Sequence, residues 1–298
     1  MRFQFVQDYR CKLPVGRICE VLKVSRSGYY AWRTRPPSKR EMANQELLKQ
    51  IKTAHRDSDQ TYGSPRIYHA LLKLGWKCSR NRVARLMRRN DIQGKQKRCY
   101  KTTTRRNKAH PVAPNLLKRD FGAEQPNEKW LADITYIPTQ EGWLYLAAVL
   151  DLYTRRIVGW AMAERMTSAL TVNALEMAIQ LRRPAAGLIH HSDQGSQYTD
   201  QKYRALLEAH GFQASMNGVG TWYDNAPMES FFGTLKSERV HHCSYQTREE
   251  ARTDLFFYIE ARYNRLRLHS ALGYLSPEEF EKAHYQHSEY ALTLCPQK

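Results

Sequence analysis

The sequence predicts a mixed α/β core preceded by small all-helical modules. Two observations lead to this division. Basic residues are concentrated at the front, where residues 1–122 hold 30 Lys and Arg against 8 Asp and Glu, whereas residues 123–298 hold 17 against 21. Apolar residues recur with a helical period at the front and with a strand period from Trp130 onwards. A basic front and a near-neutral back are typical of an arm that binds a polyanion and a domain that does chemistry.

The basic front divides into helical units. Residues 14–33 predict two helices joined by a short turn, with Ser25 as the cap of the second helix. Pro36 and Pro37 mark the linker that follows. Three further helices are predicted before residue 91, and Ser79 caps the last of them. Each unit has the size of a helix-turn-helix.

Changes in composition and turn signals divide the chain into five segments. They are a helix-turn-helix-like segment (1–40), a second helix-turn-helix-like DNA-binding module (41–93), a basic linker (94–122), a catalytic core with a C-terminal helix (123–285) and a tail (286–298). The linker is rich in Lys, Arg and Thr and has no apolar period. It is interpreted as an extended connector that follows phosphates, or as a plain disordered linker.

The helix predicted over residues 80–90 has an apolar stripe on one side and arginines on the other. This pattern is typical of a recognition helix that lies in a groove of DNA, although an ordinary solvated helix face has the same pattern. We expect the residues that contact DNA to be basic ones in this module and one lysine of the core. They are Arg66, Arg80, Arg82, Arg85, Arg89 and Lys236.

From Trp130 the pattern becomes that of a sheet. Three segments rich in β-branched and aromatic residues, separated by short turns, predict antiparallel strands: 130–138, 143–153 and 156–163. Helix and strand then alternate through residue 216, and a helix that contains Glu229 follows. This order of elements is ribonuclease H-like. A long amphipathic helix over residues 247–268 is expected to pack against the sheet.

Three acidic residues lie in or directly after apolar segments. Asp133 is in the first strand, Asp193 follows a buried strand, and Glu229 is on a helix. Carboxylate oxygens favour Mg²⁺ or Mn²⁺ over zinc. Two such ions about 3.5–4 Å apart activate the attacking oxygen and stabilise the leaving oxygen of a phosphodiester. We therefore expect the three carboxylates to converge on a site for two ions.

Simpler interpretations exist for single residues. Asp193 is as readily a turn residue, Glu229 alone is more often a solvated helix residue, and Lys236 is either a phosphate contact or a surface lysine. Among the remaining titratable residues of these segments, Asp151 is expected at a strand end or turn, and Asp224 as a helix cap. His190 and His191 belong to no zinc-like set; His191 is either a phosphate or carboxylate contact or a packed strand histidine.

Six blocks in order carry a resemblance to a known family. They cover residues 130–136, 142–146, 150–160, 191–198, 224–232 and 263–274, and 24–32 and 62–66 add to them at the front. With a 35-residue gap between Asp193 and Glu229 and with Lys236 seven residues further on, the core resembles the D,D(35)E core of retroviral-type integrases. The whole chain resembles the second-frame transposases of bacterial insertion sequences.

This resemblance implies a DNA strand transferase with Asp133, Asp193 and Glu229 as catalytic and metal-binding residues. It also implies Mg²⁺ or Mn²⁺ as cofactor, with two ions in each site. The implied partners are the terminal inverted repeats and target DNA, a homo-oligomer on DNA, and a first-frame partner protein or a frameshift fusion with it. The chain begins without a heptad run, so it is expected to be the second-frame product alone.

Composition indicates the cellular location of the protein. The sequence has no run of 18 apolar residues and no secretory signal, so we expect neither a membrane span nor export. Its six cysteines are scattered without paired spacing, which fits a reduced cytoplasm. We therefore expect a cytoplasmic, DNA-associated protein.

Two rival functions remain at this point. One is a DNA-binding regulator of transposition with a silent core, against which the intact acidic triad argues. The other is a general ribonuclease H-like nuclease, which gives no reason for the paired helical modules at the front.

Overall fold

The computed structural model of the chain describes residues 1–95, 113–118, 120–217 and 225–294, with side chains described up to residue 286. The centre of the predicted linker, 96–112, and the predicted cap Asp224 lie outside these residues. Within them the α-helices are α1 (Arg2–Tyr9), α2 (Val15–Val21), α3 (Arg26–Thr34), α4 (Lys39–Asp57), α5 (Ser64–Lys73), α6 (Arg80–Arg89), α7 (Ser168–Arg182), α8 (Gln201–Ala209), α9 (Ala226–Glu238), α10 (Arg248–Phe257) and α11 (Pro277–Leu294). The strands are β1 (Lys129–Thr139), β2 (Gly142–Asp151), β3 (Ile157–Ala163), β4 (Ile189–Ser192) and β5 (Gln213–Met216).

The first three helices form a small unit with its own core. Val6, Ile18, Cys19 and Tyr29 are buried together. Ser25 caps α3, since its hydroxyl accepts a hydrogen bond from Gly28 N at 3.0 Å. The predicted turn and helix pair is therefore present, and α1 adds a helix that the sequence did not predict.

Helices α4 to α6 form the second helical module around a separate core. The apolar stripe of α6 is buried against α4 and α5, as the spacing predicted. Ser79 caps α6, because its hydroxyl accepts a hydrogen bond from Arg82 N. Leu268 and Tyr274 from the far end of the chain pack against the same cluster, so this module is docked on the core.

The core contains one five-stranded sheet in the order β3-β2-β1-β4-β5. Strands β1, β2 and β3 pair antiparallel, and β4 and β5 run parallel to β1. The predicted mixed sheet is confirmed, as are its three leading antiparallel strands. Helices α7 and α8 cover one face and α9 and α10 the other, which gives the two largest apolar clusters.

A glycine allows one of these helices to approach closely. A Cβ at Gly159 of β3 would lie 2.3 Å from the carbonyl oxygen of Ala174 and 2.7 Å from Ala178 Cβ. No side chain fits there, so α7 lies directly on β3. This contact fixes the face of the sheet that lies opposite the candidate site.

The C-terminal part differs from the prediction. The single helix expected over 247–268 is α10 followed by a π-helical segment, Tyr258–Tyr263, and then by irregular chain. The apolar period continues past Phe257, which is why the sequence predicted one helix. α11 extends to Leu294, beyond the boundary predicted at residue 285.

Among the described residues, no helix combines the length and apolar character that crossing a lipid bilayer requires.

Candidate active site

The register of the sheet brings two aspartates together. β1 and β4 are parallel, and Leu131 pairs with His191 in the last row of their ladder. Asp133 and Asp193 each follow two residues later, so they lie side by side where β4 ends. The ladder stops there, so beyond Leu131 the described part of β4 no longer pairs with β1.

Backbone groups orient both carboxylates. Asp133 Oδ1 accepts a hydrogen bond from Ile134 N at 2.7 Å, and Asp193 Oδ1 accepts one from Gly195 N at 2.9 Å. Glycine is the only residue type that fits at position 195 without rearrangement, because a Cβ there would lie 2.9 Å from Asp193 Oδ1 and from Gln197 Oε1. The chain between Asp193 and Gln197 is therefore folded tightly around the carboxylate.

The two carboxylates repel one another. Burial, and next the charge of Asp193, raise the pKa of Asp133 to about 8, and Glu229 adds to the effect. The Ile134 N–H and the Lys236 ammonium act in the opposite direction. Burial also raises the pKa of Asp193. A bound cation would stabilise the ionised form of both carboxyl groups, and such a pair is typical of a metal site.

Glu229 approaches this pair from the first turn of α9. Its side chain is exposed, its pKa is raised by partial burial, and its charge reaches Asp133. Asn225 holds the start of the helix against β1, since its Nδ2 donates to Ala132 O at 3.4 Å. The structure thus places Asp133 beside Asp193 and puts Glu229 within electrostatic range of Asp133.

The three carboxylates do not form a closed ligand cage. Within the described part of the chain, no group of three or more His, Cys, Asp or Glu side chains is placed to hold a metal ion. Asp133 and Asp193 form a close pair and Glu229 stands further out. The donor set, oxygen only, still fits Mg²⁺ or Mn²⁺, because these ions keep several water ligands and are often held by one or two carboxylates.

Lys236 is on α9, seven residues after Glu229, and lies within electrostatic range of Asp133. Its Nζ sits 4.4 Å from the centroid of the Tyr136 ring, and partial burial lowers its pKa. The charge of Asp133 opposes that shift. Lys236 is therefore a cation beside the acidic pair, and no local sequence pattern predicts its contact with Tyr136.

Asp151 is a structural residue, as predicted. It ends β2, where Oδ1 accepts from Thr154 N and Thr154 Oγ1, and Oδ2 accepts from Asn127 N at 2.6 Å. Burial raises the pKa of this carboxyl in spite of those bonds. These bonds tie together the turn after β2 and the segment before β1, and none of them involves Asp133 or Asp193.

The two adjacent histidines are packed in the sheet. His190 contacts the hydroxyl of Tyr203 at 3.2 Å, and burial lowers the pKa of its ring to about 3. His191 lies between Ser215 Oγ, at 2.8 Å, and Asn217 Oδ1, at 2.6 Å. Each ring has protein partners, which fits the simpler of the two predicted interpretations.

The predicted DNA-contacting arginines fall into two groups. Arg80, Arg85 and Arg89 are exposed on α6. Arg82 is half-buried and donates from Nε to Asn44 Oδ1 at 2.9 Å, which ties α6 to α4. Arg66 donates from Nε to Leu268 O at 2.9 Å and so joins the module to the core. Arg82 and Arg66 thus have internal contacts that the sequence did not reveal.

Three family models match the chain. The description "integrase core domain" applies to residues 123–221 and, in a second model, to residues 229–284. An HTH-like domain matches residues 42–100. These matches agree with the ribonuclease H-like core and the second helical module seen above.

Similar proteins extend over nearly the whole chain. An uncharacterized 31 kDa protein of insertion element IS600 from Shigella sonnei is 49% identical, covering 90% of this chain and 99% of the relative. Transposase InsF for insertion sequence IS3A from Escherichia coli strain K12 is 42% identical, covering 94% and 98%. The chain belongs to the IS3 family of transposases. It is a polynucleotidyl transferase of the transposase and integrase class.

Among solved structures, the HTLV-2 integrase catalytic core domain in complex with magnesium is similar at a TM-score of 0.42 and 16% identity. The similarity covers 53% of this transposase chain and 97% of the HTLV-2 integrase domain.

Several structural residues escaped sequence reasoning. Arg267 donates to both carboxylate oxygens of Glu238, at 2.8 to 3.1 Å, and Tyr258 OH donates to the same group at 2.9 Å. Asn264 accepts from Ile157 N and donates to Ile157 O, as a peptide group of another strand would. Asn264 and Arg267 lie in the block 263–274, where one Asn and two Arg alternate with leucines, and that pattern was the available signal.

Proposed function

We propose that Asp133, Asp193 and Glu229 hold two Mg²⁺ ions and that this site cuts and joins DNA strands at the ends of the insertion sequence. The observation that carries the proposal is the pairing of Asp133 with Asp193 at the open end of the β1–β4 ladder. Two carboxylates held side by side, which the Lys236 ammonium offsets only in part, favour a divalent cation there.

Each side chain has a distinct part in this proposal. Bound Mg²⁺ would supply activation of the attacking oxygen and stabilisation of the leaving oxygen. Backbone N–H groups orient Asp133 and Asp193 through one oxygen of each carboxylate, which would leave the other oxygen for a metal ion. Glu229 completes the donor set from α9, and Lys236 offers a positive charge to a phosphate near the scissile bond.

DNA contacts are assigned to exposed cations of the helical module. Arg80, Arg85 and Arg89 project from α6, whose other face is buried, so a groove or a phosphate row can lie against them. The internal bonds of Arg82 and Arg66 leave other nitrogens of each guanidinium for phosphate. The assigned partner is DNA: the terminal inverted repeats and the target.

Transposition joins two element ends, which requires more than one active site or one site used in turn. We therefore assign the protein to a homo-oligomer formed on DNA, with a first-frame partner protein or a frameshift fusion as a further component. The chemistry of two ends supports this assignment by analogy with other strand transferases.

The catalytic proposal is tested by Glu229→Gln in a strand-joining assay on element-end DNA with Mg²⁺. We expect a loss of about a thousandfold, since several kcal/mol of charge stabilisation depend on the metal site. Glu176→Gln, an exposed glutamate on α7, is the matched control and should join normally. Equal activity of Glu229→Gln and wild type would refute the triad.

The same assay separates the rival functions. A wild-type chain that binds ends but neither nicks nor joins them with Mg²⁺ would favour a DNA-binding regulator. Cleavage of RNA–DNA hybrids without strand joining would favour a general nuclease.

The assignment of α6 is tested by Arg85→Gln and by the dependence of end binding on salt. We expect the slope of log K against log salt to decrease in magnitude by about 0.9, as expected for one lost phosphate contact. Arg183→Gln, an exposed arginine after α7, is the control and should leave the slope unchanged. An unchanged slope for Arg85→Gln would remove α6 from the interface.

A further inference from the structure

Helix α9, which carries Glu229 in its first turn, ends at a buried ion pair. Arg267 donates to the carboxylate of Glu238, the last residue of α9, from Nε at 3.1 Å and from Nη2 at 2.8 Å. Tyr258 OH donates to the same carboxylate at 2.9 Å, and all three side chains are buried. Desolvation of both charges offsets most of their attraction, so such a pair adds little net stability. Its effect here is to fix the end of α9 against the segment that carries Arg267.

A second contact holds α9 close to Glu229. Phe231 is buried two residues after Glu229, and its ring packs edge-on against Tyr263 with centroids 4.7 Å apart. The guanidinium carbon of Arg267 lies 5.9 Å from the centroid of the same Tyr263 ring. Tyr263 therefore contacts both Phe231 and Arg267, so the two contacts of α9 meet in one segment, 258–267.

The π-helical segment Tyr258–Tyr263 aligns these contacts. Backbone hydrogen bonds of a π-helix join residues five apart, as Asn264 N and Ile259 O are joined here at 3.0 Å. The same repeat brings Tyr258 and Tyr263 to one side of the segment, with ring centroids 6.5 Å apart. In an α-helix, two such residues would be about 140° apart around the axis. The local change in helix type therefore allows both side chains to contact α9.

The second helical module holds the backbone on both sides of Arg267. The Tyr62 hydroxyl accepts a hydrogen bond from Leu268 N at 2.8 Å and donates one to Leu266 O at 3.2 Å. These two atoms belong to the two peptide groups that flank Arg267. Arg66 Nε donates to Leu268 O at 2.9 Å. The backbone from which the Arg267 side chain extends is therefore fixed by the module.

The chain directly after the module contacts α9 itself. Lys95 Nζ donates to the carbonyl oxygen of Glu238 at 2.9 Å. Lys95 N donates to Gln60 O at 3.1 Å, which holds this lysine close to the segment of Tyr62. A cation at the C-terminal end of a helix interacts favourably with the helix dipole. The last turn of α9 is therefore bound by Lys95 as well as by Arg267.

We propose that Tyr62 and Arg267 are positioning residues for Glu229. Docking of the helical module sets the position of α9 and hence the distance from the Glu229 carboxylate to Asp133. This inference rests on the proposed function, because that function assigns Glu229 to the metal site. Glu229 and Glu238 are nine residues apart, which is about 14 Å at the rise of an α-helix. A helix is a rigid element, so a displacement at one end reaches the other.

Another contact between the module and the core leads to a different helix. Lys73 Nζ of α5 pairs with Glu279 Oε2 of α11 at 2.6 Å. This pair joins the module to α11 and not to α9. Lys73→Met therefore weakens the junction without touching the contacts that lead to Glu229, and it serves as a control.

The first experiment measures Mn²⁺ binding to the full chain without DNA by titration calorimetry. Tyr62→Phe keeps the buried ring and removes the hydroxyl that bridges the peptide groups around Arg267. We expect the Kd for Mn²⁺ to rise about fivefold, because residues that orient metal ligands strongly affect metal affinity. Tyr68→Phe is the matched control: Tyr68 packs on the core of the same module, and its hydroxyl bonds to no residue that the structure describes. Tyr68→Phe and Lys73→Met should bind Mn²⁺ as wild type does.

The second experiment determines whether the effect of Tyr62 depends on Glu229. Tyr62→Phe is introduced into Glu229→Gln, and the four proteins form a double-mutant cycle. We expect Tyr62→Phe to change the Kd for Mn²⁺ by less than about twofold in Glu229→Gln, since the carboxylate that it positions is then absent. An effect of about fivefold in both backgrounds would mean that Tyr62 acts on the whole fold, and it would overturn the proposal.

Arg267→Lys tests the other positioning residue. It keeps the buried positive charge but loses the two-nitrogen contact with Glu238. The Kd for Mn²⁺ should rise as in Tyr62→Phe, and again only when Glu229 is present. Melting temperatures without metal show which variants are folded, and Tyr62→Phe decides the question where Arg267→Lys is unfolded. Wild-type Mn²⁺ affinity in folded Tyr62→Phe would overturn the proposal.

Glu229→Gln by itself separates this proposal from the proposed function. Weaker Mn²⁺ binding in Glu229→Gln together with wild-type binding in Tyr62→Phe would leave the metal site as proposed and remove the positioning role. Wild-type Mn²⁺ binding in Glu229→Gln would remove Glu229 from the metal site, and the positioning proposal would be overturned with it.

Discussion

Asp133 and Asp151 lie on the same pair of strands, three register positions apart, and both are enclosed carboxylates with raised pKa values. Asp151 accepts hydrogen bonds from Thr154 and Asn127, so the protein itself satisfies it. Asp133 accepts one bond from its neighbour and lies near two further carboxylates, those of Asp193 and Glu229, which the Lys236 ammonium offsets only in part. The difference teaches that burial alone does not mark a functional acid. What marks it is a need for positive charge that the protein leaves unmet.

The largest expected difference between the two is in catalysis. Asp133→Asn should lower Mg²⁺-dependent strand joining by about a thousandfold, because it removes a metal-binding charge. The melting temperature without metal should stay the same or rise, since the repulsion with Asp193 is removed. A large loss of stability in Asp133→Asn would mean that Asp133 is structural in the way that Asp151 is.

Asp151→Ala should show the reverse pattern. It leaves the Thr154 and Asn127 donors buried without an acceptor, which costs about 3 kcal/mol of the free energy of unfolding. Chemical denaturation measures this loss directly. At a temperature where the variant is folded, its Mg²⁺ dependence should match that of wild type, and an altered metal requirement would contradict the separation of the two acids.

The smallest effect concerns pH and Mg²⁺ together. The folded-state pKa of Asp133 is raised to about 8, above the ordinary value of about 4, so the metal-free protein loses stability as the pH rises between these values. Mg²⁺ should therefore raise the melting temperature by about 3 °C at pH 8.5 and by less at pH 5.5. Scanning calorimetry of wild type and Asp133→Asn checks this. Equal shifts in both proteins would place the ion elsewhere.

Local patterns predicted the order of the elements and the acidic pair. Apolar spacing and caps such as Ser25 and Ser79 act over a few residues, so they can be recognised directly in the sequence. Asp133 and Asp193 were predicted for a similar reason, since Asp133 stands inside an apolar strand segment and Asp193 directly after one. They are adjacent because β1 and β4 are parallel and because each aspartate follows two residues after the last pair of the ladder, Leu131 and His191.

Long-range contacts could not be read in the same way. Arg66 and Leu268 are 202 residues apart, and no local rule pairs a guanidinium with that carbonyl. The π-helical segment after α10 escaped because its apolar period continues that of the helix. The placement of Glu229 depends on the packing of α9, so its convergence with the aspartates, its metal-binding role and the DNA contacts remain predictions.

Helix α9 presents Glu229 at its first turn. At its last residue, the Glu238 carboxylate accepts a hydrogen bond from Arg267, and the Glu238 carbonyl oxygen accepts one from Lys95, which directly follows the helical module. Anyone building chimeras between relatives to redirect them to new insertion-sequence termini meets a consequence of this arrangement. A transplanted module will dock correctly only if the recipient also receives residues 262–279 of the donor, because these residues contact the module directly.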